Sequence, residues 1–336
     1  MARPSAPAAA FRADRAREPP LAQVRRRLFG LDPAEASFAR RKFTSTDLAR
    51  QERLEKIGRT FIAGYNAAVR TADPAAIVDA SEAIPTELSG FAFEGAAMGF
   101  ALLDLLTPWR SRRFAHFLAG VADRHVYMAH VGAGWALART SSKLVWRLGN
   151  LNPLLRWLMF DGYGFHDGYF RHDQSIALQR RPSALRGYAL NAFDQGLGRA
   201  LWFVKGADIA AVAAATSNFP EQRRADLWSG IGLAAAYAGG ADADGLEALT
   251  AASSSYRSCL GQGAAFAAKA RERAGNSAPH VELACQTMCG MSAVSAAAIT
   301  DQALPTASRD DGGEAYEFWR TKIRRRLEAQ SMTESA

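Results

Sequence analysis

Four side chains in this 336-residue chain have the right types and surroundings to move protons: Glu94, His130, Asp161 and His166. His130 stands in Tyr127-Met128-Ala129-His130-Val131-Gly132 and His166 in Tyr163-Gly164-Phe165-His166-Asp167-Gly168, each among aromatic and small apolar residues. An imidazole there serves either as a general acid or base near neutrality or as a hydrogen-bonded packing residue. Glu94 interrupts the apolar run Phe91–Leu106. Burial would raise its pKa unless a cation met it, and Arg139 or Arg156 could be that cation. Asp161 and Asp167 are six apart, about 240° round a helix, so they do not share a face, whereas Tyr163 and Asp167 do. The aromatic residues Tyr127, Trp135, Tyr163, Phe165 and Trp228 are the expected lining of an apolar cavity into which both histidines point, with Glu94 or Asp161 within reach.

Other chemistries find less support. Glu94, His130 and His166 have the composition of a two-histidine, one-carboxylate iron site, but no Glu-x-x-His pair accompanies them and no metal is assigned; the sequence names no cofactor. Cys285 and Cys289 are four apart on an apolar segment and read as packing. No phosphate-binding or dinucleotide-binding glycine loop follows a strand, and no acidic DDxxD run is present. His116 and His125 fall on a polar-faced stretch and are expected in solvent, His172 in a connector and His280 behind a helix-starting proline.

The elements that must position these groups read as helices throughout. Alanine is abundant, β-branched residues are sparse, and apolar residues recur at three- and four-residue steps. Helices are expected near 47–70, 74–83, 88–106, 112–140, 153–170, 184–205, 208–217, 222–238, 244–274, 279–300 and 312–328, giving an all-α fold. Asp32-Pro33 and Asp73-Pro74 have the form of an N-cap followed by a first-turn proline, and Asp208 of a cap alone. Phe91–Leu106 and Asp226–Gly240 are apolar on nearly every side, so each must be central.

A faint internal repeat suggests two duplicated, pseudo-symmetric halves sharing one core. A shift of 135 places Pro85 on Pro220 and Gly95 on Gly230, a shift of 129 places Gly132 on Gly261, and a shift of 126 places Gly164 on Gly290. The implied organisation is a disordered tail at 1–20, a basic segment at 21–46, a first half at 47–170, a connector at 171–185, a second half at 186–328 and a frayed tail at 329–336. The first half alone carries the ionisable set.

The formal charge of +8 is uneven. Residues 1–59 hold fourteen Lys and Arg against seven Asp and Glu, a balance of +7 that leaves the rest of the chain nearly neutral. This argues against nucleic acid as partner, since the folded module lacks the charge; it favours contact of the basic N-terminus with an anionic membrane surface or an acidic partner. No run of about 18 uninterrupted apolar residues is present, so no transmembrane helix is expected. Three cysteines, one necessarily unpaired within the chain, favour a reducing cytoplasm.

The blocks HVGAGWALAR (His130–Arg139), LLRWLMFDGYGFHDGYF (Leu154–Phe170), ALWFVKGAD (Ala200–Asp208), FPEQRRADLWSGIGLAAAYAGG (Phe219–Gly240) and RRRLFGLDPAEASFARRKF (Arg25–Phe43) resemble a bacterial family of unknown function encoded beside enediyne polyketide synthases. The similarity runs from about Val24 to Ser295. It implies a part in making an enediyne core from a linear conjugated polyene, either by desaturating, isomerising or cyclising it or by carrying it without chemistry, alongside other proteins of the same gene cluster. The resemblance supplies no catalytic residues.

Overall fold

Aspartates start many of the helices, as their positions before apolar runs predict. The carboxylate of Asp47 accepts from the Arg50 amide and that of Asp208 from Ala211, each satisfying an amide that a helix start leaves without a partner, while Asp32 accepts from Ala34 at the start of the 3-10 turn Pro33–Ala36 and Asp73 from Ala75 in the turn just before the helix at Ala76. The structure, a computed structural model, describes residues 19–81, 83–107, 109, 112–149, 151–305 and 313–334. The tail expected at 1–20 thus lies, but for its last two residues, outside the described ones.

Sixteen α-helices and no strand are found among the described residues. They are α1 (Pro20–Phe29), α2 (Phe38–Arg41), α3 (Leu48–Thr71), α4 (Ala76–Ser81), α5 (Ser89–Leu106), α6 (Arg113–Ala119), α7 (Val126–Arg139) and α8 (Trp157–Phe170). There follow α9 (Ala189–Val204), α10 (Ile209–Ser217), α11 (Glu221–Ala238), α12 (Ala243–Ser253), α13 (Arg257–Ala274), α14 (Pro279–Cys289), α15 (Ala293–Gln302) and α16 (Glu314–Glu334). The fold is all-α. Three long helices expected from the pattern are each two shorter ones: the stretch 112–140 breaks around Gly120, 244–274 breaks at Ser254, whose φ is 46°, and 279–300 bends by 66° after Gly290, whose left-handed φ of 69° ends α14. At the other end of the chain α16 continues to Glu334, into the segment expected to be frayed.

Seven helices form the core in the order α3, α5, α7, α8, α9, α11, α13, each packed on the next. The contact is made by glycine. A Cβ on Gly132 of α7 would lie 2.0 Å from the Glu94 carbonyl oxygen of α5, one on Gly162 of α8 1.9 Å from that of Val131, and one on Gly196 of α9 1.8 Å from that of Asp161. Gly95, Gly230 and Gly263 meet the preceding core helix in the same way. Two residues further on, Gly134, Gly164, Gly198 and Gly232 meet a carbonyl of the following helix. Positions two apart face nearly opposite ways on a helix, so the Gly-x-Gly pairs of α7, α8, α9 and α11 let each touch its predecessor and its successor at backbone distance.

This recurrence has the length of one core helix and its connection, and a division into two duplicated halves does not follow from it. Gly95 and Gly230 do occupy like positions. Gly164, however, is in the middle of α8 whereas Gly290 caps α14, and the glycine that meets the preceding core helix as Gly132 does is Gly263, not Gly261. The segment Thr86–Leu106 is long and apolar enough to cross a membrane, but 94% of it is buried among the other helices.

Candidate functional site

The residue just before the glycine that meets the preceding helix is polar and fully buried on five of the core helices: Glu94 on α5, Asp161 on α8, Gln195 on α9, Ser229 on α11 and Gln262 on α13. Buried polar groups must find one another, and most of these do. Gln195 Nε2 donates to Asp161 Oδ2 at 2.7 Å. Ser229 Oγ donates to Gln262 Oε1 at 2.9 Å, which also accepts from Arg320 Nε at 3.1 Å. Arg320, itself fully buried, continues through Nη1 to Asp226 Oδ1 at 2.7 Å and to the Tyr188 hydroxyl at 3.0 Å.

At the other end of this chain stands Arg199, one turn after Gln195 on α9. Its Nη1 donates to Asp161 Oδ1 at 2.5 Å, its Nη2 lies 3.9 Å from Glu94 Oε1, and its guanidinium covers the Phe165 ring at 4.5 Å. Burial would lower the Arg199 pKa, but Asp161 and Glu94 together lift it above the ordinary guanidinium value. Glu94 is 1% exposed, and neither of its oxygens closes a hydrogen bond among the described residues. Burial pushes its pKa up to about 7; the Arg199 charge opposes that rise, the Asp161 charge adds to it, and the nearby Trp135 indole opposes it weakly. A carboxyl with both oxygens free and a pKa near neutrality can both take and return a proton.

Glu94 faces a narrow apolar cavity of about 30 Å³, room for a water or two. Phe61, Phe91, Trp135, Phe165 and Phe203 form its walls, and Leu31 and Glu35 from the segment after α1 cover it. A second cavity of the same size begins on the far side of Arg199, between Tyr127, Val131, Leu233, Tyr237 and Phe266. Phe91 of the first cavity and Tyr237 of the second are in ring contact at 5.1 Å.

Of the residues singled out from the sequence, Glu94 and Asp161 are brought together, with Arg199 as their shared cation rather than Arg139 or Arg156. Trp135 and Phe165 line the cavity with Glu94, and Tyr127 lines the second one. Tyr163, its ring 6.2 Å from that of Phe193, and the buried Trp228 border neither. The histidines do not line either cavity. His130 Nδ1 donates to the Val126 carbonyl at 2.7 Å, one turn back on its own helix, and burial pushes its pKa down to about 4. His166 pairs with Asp167 at 3.1 Å and packs on Trp135 and Phe170; burial lowers its pKa although Asp167 raises it. His125, expected in solvent, is stacked on Phe93 at 4.1 Å and 8% exposed, because the break before α7 turns it inward; its pKa falls to about 4 through burial.

Arg199, Gln195 and Gln262 escaped the sequence reading. For Gln195 and Gln262 the signal was the polar residue before each Gly-x-Gly or single glycine, at spacings near 30 rather than near 130; Arg199, which follows its glycine pair, had no such signal. The cysteines are buried thiols, Cys289 donating to the Gly261 carbonyl at 3.2 Å. The profile of a family described as Protein of unknown function (DUF1702) matches residues 20–327. No curated protein and no solved structure matches the chain.

Proposed function

The chain belongs to the DUF1702 family of proteins of unknown function, and from that premise we propose that it isomerises a linear conjugated polyene by proton transfer at Glu94, as an accessory protein of enediyne biosynthesis. The observation that carries this reading is the Glu94 carboxyl: buried, without a hydrogen bond, held near neutral pKa and aimed at an aromatic-walled cavity. The enediyne setting is supported by the resemblance of the blocks at His130–Arg139, Leu154–Phe170 and Phe219–Gly240.

The chemistry is redox-neutral. Glu94 as carboxylate takes a proton from one carbon, the π electrons shift along the chain, and the resulting acid returns the proton to another carbon. Arg199 steadies the negative charge that moves from carboxylate to polyene and back. Phe61, Phe91, Trp135 and Phe165 present ring faces to a conjugated chain and exclude water. Since the cavity as it stands holds only a water or two, a polyene enters only if its lining moves apart.

The test is to incubate purified full-length protein with the polyene released by the synthase and to follow absorbance and mass together. An absorbance change at constant mass is expected, slowed at least about a hundredfold in Glu94→Gln with binding retained. Turnover at the wild-type rate in Glu94→Gln overturns the assignment. Binding with no change in either signal leaves the protein a non-catalytic carrier of the same apolar molecule.

A further inference from the structure

Helix α1 reads PLAQVRRRLF and contains no acidic residue. Leu21, Val24 and Leu28, at steps of three and four, are 72%, 52% and 67% exposed, so three large aliphatic side chains form one outward stripe. The opposite side carries Ala22, which is buried, and Phe29, which is half-buried against the core. The helix is not loose. The Arg25 guanidinium donates to the carbonyls of Val69 at 2.9 Å and Arg70 at 2.6 Å at the end of α3, and the Tyr65 hydroxyl donates to the Phe29 carbonyl. Its apolar stripe is therefore held towards solvent by the same contacts that fix the helix, with the exposed Arg27 at its flank and Arg26 on the other side of the helix.

Three aliphatic side chains on one ten-residue helix are an unusual thing to present to water. A partner must accept both the stripe and the arginines. A second copy of the chain, paired symmetrically through this stripe of α1, would bring Arg27 of one copy towards that of the other, with no acid on the helix to separate them. An anionic bilayer meets both demands: aliphatic side chains enter the boundary between headgroups and acyl chains while guanidinium groups meet phosphates.

We propose that α1 is a membrane-surface helix that seats this protein reversibly on anionic lipid, Leu21, Val24 and Leu28 entering the interface, Arg27 binding a headgroup phosphate and the remaining positive charge of the helix adding attraction at longer range. The next residues in the chain, Leu31 and Glu35, cover the cavity at Glu94. Lipid docking therefore places the cover of that cavity beside the phase in which a long apolar molecule dissolves. The inference stands on the exposed face alone and does not depend on proton transfer at Glu94.

The experiment is flotation of the full-length protein with vesicles of phosphatidylcholine containing roughly a third phosphatidylglycerol, against vesicles of phosphatidylcholine alone. The expected result is binding at least about tenfold stronger to the anionic vesicles, weakened by added salt. It should fall at least about tenfold in Leu21→Glu/Leu28→Glu and, through the charge alone, in Arg26→Gln/Arg27→Gln. Both pairs lie at exposed positions, and circular dichroism melts should match the wild type; Val24→Glu serves as the single-site variant if the double aliphatic one melts early. No binding, equal binding to both vesicle types, or undiminished binding by the glutamate variants overturns the proposal. So does a concentration-dependent dimer in size exclusion that Leu21→Glu/Leu28→Glu dissociates, which would make the face an interface between copies.

Discussion

Glu94 meets Arg199 at 3.9 Å rather than in a closed ion pair, because Asp161 holds the same guanidinium at 2.5 Å. Competition for one cation is thus part of what keeps the Glu94 pKa near 7. Asp161→Asn should remove the opposing charge, leave Arg199 to Glu94 alone, and lower the Glu94 midpoint by about one unit or more. The carboxylic C=O stretch in infrared titration reads this directly. An unchanged midpoint would mean that burial alone sets it.

Removing the cation has the opposite effect. Arg199→Met leaves two carboxyls buried with no counter-charge, which should cost about 3–5 kcal/mol of stability above neutral pH. Much of that should return in the triple variant that adds Glu94→Gln and Asp161→Asn, and part of it in mild acid, where Glu94 is protonated. Urea unfolding of the three proteins on either side of neutrality checks it. A loss that the triple variant does not relieve would place the role of Arg199 in packing on Phe165.

The folded protein binds the Glu94 proton more tightly than the unfolded chain, so this group's stabilisation is full below about pH 4.5 and lost as pH rises to about 7. His125 and His130 behave in the reverse sense. Burial holds each down to about 4, so the fold resists their protonation and loses stability as pH falls from about 6.5 to about 4. The contributions partly offset in the wild type. Glu94→Gln should unmask the histidine limb: its stability relative to wild type rises by up to about 3 kcal/mol between pH 4.5 and pH 7. Unfolding free energies at the two pH values measure this difference, and a constant difference would sink it.

The helices and their caps were legible because they depend on near neighbours: Asp32, Asp73 and Asp208 announce their helix starts, and the all-round apolar character of Phe91–Leu106 announces a buried Glu94. Its cation was not legible, since nothing near Glu94 in the chain specifies Arg199 on another helix. Nor was the inward turn of His125, which follows from the break at Gly120 in a pattern that otherwise runs on as one helix. The repeat was visible, but at several times its true length. A comparison of whole stretches rewards the match of Gly95 with Gly230 and overlooks that Gly132, Gly162 and Gly196, between them, do the same packing. The two histidines drew attention by their aromatic surroundings; those of His130 turned out to be packing between α6 and α7, and those of His166 include Trp135, Phe165 and Phe170, which line the cavity at Glu94 although His166 itself does not.

That packing gives the sharpest test of how the site is built. A Cβ at position 162 would stand 1.9 Å from the Val131 carbonyl oxygen and one at position 132 would stand 2.0 Å from that of Glu94, in both cases backbone that cannot swing aside. Gly162→Ala and Gly132→Ala must therefore push whole helices apart, and each should cost about 3 kcal/mol or more although alanine favours a helix over glycine by roughly 1 kcal/mol. Gly245→Ala on α12 is the control. Its Cβ would meet side chains rather than backbone, Asp242 Oδ1 at 3.0 Å, Ala241 Cβ at 3.3 Å and Ile209 Cγ1 at 4.0 Å, and the substitution should cost far less than either. The readout that separates a general loss of stability from damage to the site is the Glu94 titration. Moving α7 away from α5 takes Trp135 with it and opens the cavity to water, so the Glu94 midpoint in any folded fraction of Gly132→Ala should fall towards the usual carboxylate range, whereas Gly245→Ala should leave it near 7. Thermal melts and infrared titration of the three proteins decide the matter, and melts that coincide would show that the helices are not in backbone contact.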